Sequence, residues 1–170
     1  MTFIKAGLVA VSLLSLAACE NGGIFGGGSG GGTGAGGSGQ TPGAIEESSL
    51  EYFATQIGDR VLFAVNEATL SDSSKAILDG QVAWLNQYPA RAITVEGHAD
   101  EQGTREYNLA LSARRAAAVQ NYMVSQGLLS SRISVIPYGK ERPLEICSTE
   151  VCWSKNRRAV TVVAGGLGSV

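Results

Sequence analysis

The sequence has little of what catalytic and metal centres are usually built from. It carries one histidine, His98, and three cysteines among 170 residues. That leaves little material for a zinc site, and neither a metal nor a cofactor is expected. Aromatic residues make up 6% of the chain and charged residues 16%. Thirteen basic against fifteen acidic residues give a formal charge of −2. That balance offers no reason to expect nucleic-acid binding, which favours a basic face. No apolar run reaches the roughly 18 residues of a membrane-spanning helix. His98 and Asp100 would suit a hydrolase dyad, but no Gly-x-Ser-x-Gly elbow presents a nucleophile. Ser112 falls mid-helix without an activator. No catalytic residue is assigned, and the chain is not expected to be an enzyme.

Glycine is the residue in excess, and its excess is local. Of 23 glycines, 13 fall between Gly22 and Gly43. Before that block, Lys5 is the only charge in residues 1–18, and Ala6 to Ala18 is a run of apolar and small residues. This fits a secretion signal. The run ends Leu16-Ala17-Ala18-Cys19. Small residues before a cysteine resemble the bacterial lipobox, in which the cysteine becomes the acylated N-terminus. Each buried methylene contributes about 0.8 kcal/mol, so several acyl chains hold a protein firmly in a leaflet. Glu20 follows Cys19. In lipoproteins of this kind an aspartate there favours the inner membrane, so the outer membrane is expected. The chain then reads as a signal over residues 1–18, an acylated Gly-rich tether over 19–47, and a folded domain over 48–170. The tether cannot bury enough apolar surface to offset chain entropy. About 26 residues of Gly-rich coil span an rms distance of about 25–30 Å.

The folded part alternates. Val61 to Val65 reads as a short apolar strand. Ser71 or Asp72 is placed to cap a helix running to Tyr88, with Ile77, Leu78, Gln81, Trp84, Leu85 and Tyr88 on one side and Pro89 to stop it. Ala92 to Glu96 reads as a second strand, and Arg105 to Gln126 as a long helix closed by Gly127. Arg132 to Pro137 and Arg158 to Ala164 are the last two strands. The order β-α-β-α-β-β predicts an α+β fold of two layers, a mixed sheet with helices on one face. Glu141 to Lys155 reads as irregular. Within it Cys147 and Cys152 are expected to form a local disulfide after secretion, holding a hairpin-like loop.

The long helix carries an anomaly. With Tyr107 at 0° and 100° per residue, Leu111, Ala118, Tyr122 and Val119 fall within an arc of about 120°, the expected buried face. Arg115 and Asn108 fall inside that arc, at about 80° and 100°. A guanidinium there needs an acceptor or must reach the rim. The turn Glu96 to Asp100 ends beside the start of this helix and offers Asp100. The two charges are either a structural ion pair or a site for a ligand bearing both an ammonium and a carboxylate. In the second case Asp100 takes the ammonium, Arg115 grips the carboxylate with its fork, and Asn108 offers an amide.

The stretch from Glu96-Gly97-His98-Ala99-Asp100 through Gly103-Thr104-Arg105-Glu106-Tyr107-Asn108 resembles the signature turn of the peptidoglycan-associated lipoproteins. Asn108-x-x-Leu111-Ser112-x-x-Arg115-Ala116-x-x-Val119 is similar to the wider OmpA-like peptidoglycan-binding motif. Tyr138-Gly139-Lys140-Glu141 and Asn156-Arg157-Arg158-Ala159-Val160 also match. The resemblance covers the folded domain nearly end to end. It implies a non-catalytic protein that binds the diaminopimelate of the peptidoglycan stem peptide and tethers the outer membrane to the wall from the periplasmic side. It also implies a place in the Tol-Pal system, with TolB as a partner on the same face. Carried over by residue, Asp100 and Arg115 are the main pair, Ala99, Asn108 and Arg158 are supporting contacts, and Leu111 is a wall or packing residue.

Two departures stand out. The family usually has an aspartate near the position of Phe63, where this chain has Ala64, Val65 and Asn66. Gln102 replaces the more usual arginine of the turn. Backbone groups of the first loop are expected to contribute instead. A different OmpA-like lipoprotein, an interaction module or secretion-apparatus anchor, is the alternative reading.

Overall fold

The computed structural model describes residues 45–164. The signal, Cys19 and most of the tether lie outside the described residues. The domain opens with a helical turn, α1 (Leu50–Tyr52), capped by the Ser49 hydroxyl and continuing as a π-helical segment over Phe53–Gly58. Strand β1 (Arg60–Leu62), helix α2 (Asp72–Gln87) and strand β2 (Ile93–Gly97) follow. Then come α3 (Arg105–Ser125), β3 (Ile133–Pro137), a short α4 (Glu150–Asn156) and β4 (Arg158–Val163).

The sheet order is β1-β4-β2-β3. β2 and β3 run parallel, joined by α3, and β4 is antiparallel to both neighbours, β1 and β2. The sheet is mixed and the fold α+β, as the alternation predicts. Helices α2 and α3 cover one face. Leu78, Leu85, Val95, Ala116, Val119 and Met123 form the heart of the core between the layers. Burial of such side chains contributes roughly 1.5–3 kcal/mol each.

The helix ends obey local chemistry. Ser71 accepts from Ser74 N at 3.1 Å and Thr104 from Tyr107 N at 3.2 Å, each satisfying a first-turn amide. Gly127 adopts φ +97°, a left-handed turn that ends α3. Gln81, polar within the buried face of α2, is fully paired: its amide donates to Gly58 O at 2.6 Å, and its oxygen accepts from Thr161 Oγ1 at 2.7 Å.

Three expectations need correcting. β1 is three residues long, because the chain turns at Ala64 to Glu67, where Glu67 N donates to Ala64 O. The 141–155 segment is not irregular throughout, since its last third is α4. The Cys147–Cys152 disulfide therefore joins a loop to a helix instead of closing a hairpin-like loop. Finally, α3 buries a face rotated from the expected arc. Its buried residues are Asn108, Leu111, Ser112, Arg115, Ala116, Val119 and Met123, whereas Tyr107 is 42% exposed.

Candidate functional site

The site is assembled where three loops meet one helix. β2 ends at Gly97, and a Cβ there would lie 2.0 Å from Ser112 O. Only glycine allows so close an approach, and it brings the turn 98–103 down against α3. Gly103, at φ +93°, lets that turn close before Thr104 starts the helix. Asp100 then sits in the turn that leads into α3. Its Oδ1 accepts from Gln102 N at 3.2 Å and its Oδ2 from Arg157 Nη1 at 3.2 Å.

Arg115 is fully buried. Its Nε donates to Glu67 O at 2.8 Å, Nη1 to His98 O at 2.9 Å and Nη2 to Ala64 O at 3.1 Å, and its guanidinium carbon lies 5.2 Å from the Phe63 ring centroid. Two of the three carbonyls belong to the turn after β1. Asn66, at φ +57°, occupies the left-handed conformation that asparagine tolerates better than most residues. The backbone of this loop engages Arg115 where the sequence lacks the usual acidic side chain. A guanidinium has five N–H groups. Three are donated, and among the described residues no carboxylate lies within ion-pair distance of Arg115. Burial pulls its pKa down to about 10, with the nearby Asp100 charge opposing the shift.

The expected Asp100–Arg115 neighbourhood therefore exists, but as adjacency without direct pairing. The direct partner of Asp100 is Arg157, which sequence reasoning missed. Arg157 is buried, its Nε donates to Phe63 O at 3.3 Å, and its fork is shared between Asp100 and Glu150. Hydrogen bonding to Glu150 raises the Arg157 pKa and holds the Glu150 carboxyl below its usual range. Two guanidiniums and two carboxylates make a cluster of zero net charge.

The other candidates divide. Ala99 is buried, and its amide donates to Gly139 O at 2.8 Å, tying the turn to the loop after β3. Asn108 donates to Gln102 O at 2.8 Å and fixes the turn's far end. Its Oδ1 is buried with no hydrogen-bond partner among the described residues. Leu111 is buried one turn along the same helix face. Arg158 does not join them. It pairs in register with Leu62, while the core residues Val61 and Ala159 form the adjacent pair, so Arg158 faces away from the helices. Its Nη2 donates to Arg142 O at 3.3 Å, and burial lowers its pKa. What separates Arg157 from Arg158 is where β4 begins: Arg157 is the C-cap of α4, while Arg158 is the first strand residue, whose face becomes readable only once the partner strand is known.

His98 lies on the Arg158 side. It stacks on Tyr138 with ring centroids 5.4 Å apart, and neither ring nitrogen has a hydrogen-bond partner among the described residues. Burial, reinforced by Arg158 and Arg142, pushes its pKa down to about 3. It is neutral near pH 7, so its 3.7 Å approach to Glu96 is not an ion pair. A cavity of about 340 Å³ lies beside β1, lined by residues including Leu62, Ser74, Ile77, Leu144 and Lys155, and includes none of the site residues above. Among the described residues, no cluster of three or more His, Cys, Asp or Glu is placed to hold a metal ion.

Residues 62–157 match the OmpA family. The peptidoglycan-associated lipoprotein of Rhizobium meliloti (strain 1021) is 50% identical over 133 residues, spanning 78% of this chain and 75% of that protein. Its counterpart in Agrobacterium fabrum (strain C58 / ATCC 33970) is 47% identical over 159 residues, 93% of this chain and 87% of that one. The crystal structure of the peptidoglycan-associated lipoprotein from Burkholderia pseudomallei superposes with a TM-score of 0.62 at 32% identity, covering 65% of this chain and 95% of that chain.

Proposed function

The chain belongs to the OmpA family, and on that premise we propose that it binds peptidoglycan without catalysing any reaction on it, through the side-chain end of diaminopimelate in the stem peptide. The observation that carries this reading is Arg115, a fully buried guanidinium with no ion partner of its own. Burying such a charge unpaired is costly. Two N–H groups remain beyond the three donated to carbonyls, enough for one bidentate carboxylate. Asp100, adjacent, supplies the opposite charge. An end group bearing one carboxylate and one ammonium matches both, and diaminopimelate has that end where lysine has only the ammonium.

The names of the relatives support the peptidoglycan reading. The sequence supports the placement proposed with it: cleavage after Ala18, acylation of Cys19, residence in the outer membrane, and a tether that lets the domain reach the wall from the periplasmic side. Attachment is non-covalent and therefore reversible. The family resemblance extends the proposal to the Tol-Pal system, with TolB competing for the same face.

The test is sedimentation of the full chain with purified sacculi. Asp100→Asn removes the charge and keeps one acceptor oxygen, enough for the Gln102 amide or for Arg157 but not for both. Thermal melts accompany the assay, since Arg157 keeps Glu150 but loses a buried partner; the folded variant should lose about 10- to 100-fold in affinity, the value of one charge-assisted hydrogen bond. Competition by a diaminopimelate stem peptide should exceed competition by its lysine analogue. Retention of full binding by Asp100→Asn would reject the site. Cys19→Ser should release the protein from the membrane fraction, and continued membrane association would place the anchor elsewhere.

A further inference from the structure

Glu150 is more than half exposed, yet its carboxylate is spent on a buried guanidinium. Both of its oxygens accept from Arg157, whose other acceptors are Asp100 and the Phe63 carbonyl. Nη1 of Arg157 is shared, lying 3.2 Å from Asp100 Oδ2 and 3.3 Å from Glu150 Oε2. The position of Glu150 is itself held twice. It lies inside the loop closed by Cys147 and Cys152. Three residues on, Trp153 Nε1 donates to Glu101 Oε1 at 3.1 Å, docking α4 on the turn that carries Asp100.

We infer that Glu150 is a positioning residue of the binding site, acting through Arg157 to keep the Asp100–Arg115 cluster neutral and so setting how it discriminates between a zwitterionic and a purely cationic side-chain end. This rests on the diaminopimelate reading above. Without Glu150, Arg157 would confront Asp100 alone, and the cluster would carry one net positive charge. A diaminopimelate end has no net charge and responds little to that change. A lysine end, or a diaminopimelate whose carboxylate is amidated, carries a net positive charge and is repelled. Glu150 thus makes the site tolerant of cationic stems, and the disulfide keeps it where it can do so.

The experiment measures binding of two stem peptides, one with diaminopimelate and one with lysine, to the full chain purified in detergent. Glu150→Gln should weaken the lysine peptide on the order of threefold to tenfold while leaving the diaminopimelate peptide nearly unchanged. Glu150→Asp, which keeps the charge, should restore the wild-type ratio. A Cys147→Ser, Cys152→Ser double variant should shift the ratio the same way by less, and an unchanged ratio there would remove the disulfide from the device. A merely structural role would weaken both peptides alike. Equal loss for both, no change in either, or a wild type that holds no lysine peptide would overturn the inference. Asp100→Asn runs beside these variants as the control. If it loses diaminopimelate binding while Glu150→Gln leaves the ratio fixed, the site stands and the role of Glu150 falls. If it binds like wild type, the site itself is wrong.

Discussion

His98 should make the domain lose stability as the pH falls, and the structure fixes the size of the effect. Burial and two neighbouring arginines depress its pKa from 6.5 to about 3 in the folded state. In the unfolded chain it titrates at its ordinary value of about 6.5. Between those two values the unfolded state binds more protons, so stability is full above about pH 6.5 and is lost progressively on acidification toward pH 3. Integrating the linkage from pH 7.5 to pH 5 gives a loss of about 2 kcal/mol from this one side chain. At an m-value of about 2 kcal/mol/M, the urea midpoint falls by about 1 M. The control is His98→Phe. It retains a ring against Tyr138 and forfeits no side-chain hydrogen bond seen among the described residues. Its absolute stability is set by how the larger ring packs, so the comparison lies in the difference between the two pH values. Urea unfolding of wild type and variant at pH 7.5 and 5.0 should show wild type losing about 2 kcal/mol more than His98→Phe. Equal losses would mean that His98 is not held neutral by its surroundings, and the account of the Arg158 side of the sheet would fail.

Two further outcomes follow from the packing around α3. Gly97→Ala places a Cβ 2.0 Å from the Ser112 carbonyl oxygen. Strand or helix must shift, so the variant should lose about 3 kcal/mol or more, read as a fall in Tm of about 10 °C or more; a melt within two or three degrees of wild type would show that the close approach is relieved cheaply. Arg115→Met leaves the carbonyls of Ala64, Glu67 and His98 without this donor. Each unpaired carbonyl costs about 1–3 kcal/mol, offset in part by removal of a buried charge. A net loss of about 3 kcal/mol in urea unfolding is expected, and an undiminished midpoint would show that these bonds hold nothing together.

The order of strands and helices was legible because its punctuation is local. Ser71, Pro89 and Gly127 act within a few residues of themselves, and each lies where the structure begins or ends a helix. Helix α4 was not legible. Seven residues bearing a cysteine, a lysine and an asparagine form no stable helix alone, and α4 is held by contacts far away in sequence, Trp153 to Glu101 and Arg157 to Asp100. The candidate cluster was legible in composition and misread in partnership. Arg157 and Arg158 are equivalent as letters, and only the fold tells them apart: Arg157 caps α4 and reaches Asp100, while the register of β4 on β1 turns Arg158 away from the helices.

The phase of α3 failed for a reason that bears on function. Starting the buried arc at Tyr107 assumes that the bulkiest apolar residues mark the core. Asn108 and Arg115 are buried as expected, but the buried face also takes in Ser112, beyond the expected arc, and Tyr107 stands out in solvent. Ser112 explains part of this. Its hydroxyl accepts from Gly139 N at 2.9 Å, pinning the loop after β3 to the helix. Asn108 pins the turn after β2 in the same way. Arg115 does the same for the loop after β1, through Ala64 and Glu67. Three polar residues on one helix face thus gather three loops from three different strands. Apolar residues at those positions would bury more easily but offer no donor or acceptor to a loop carbonyl or amide. For two of the three, the serine and the asparagine, a neutral hydrogen bond suffices. At the third position a neutral donor would serve the carbonyls as well, so the charge of Arg115 is unexplained by loop gathering and is what the proposed carboxylate contact would use.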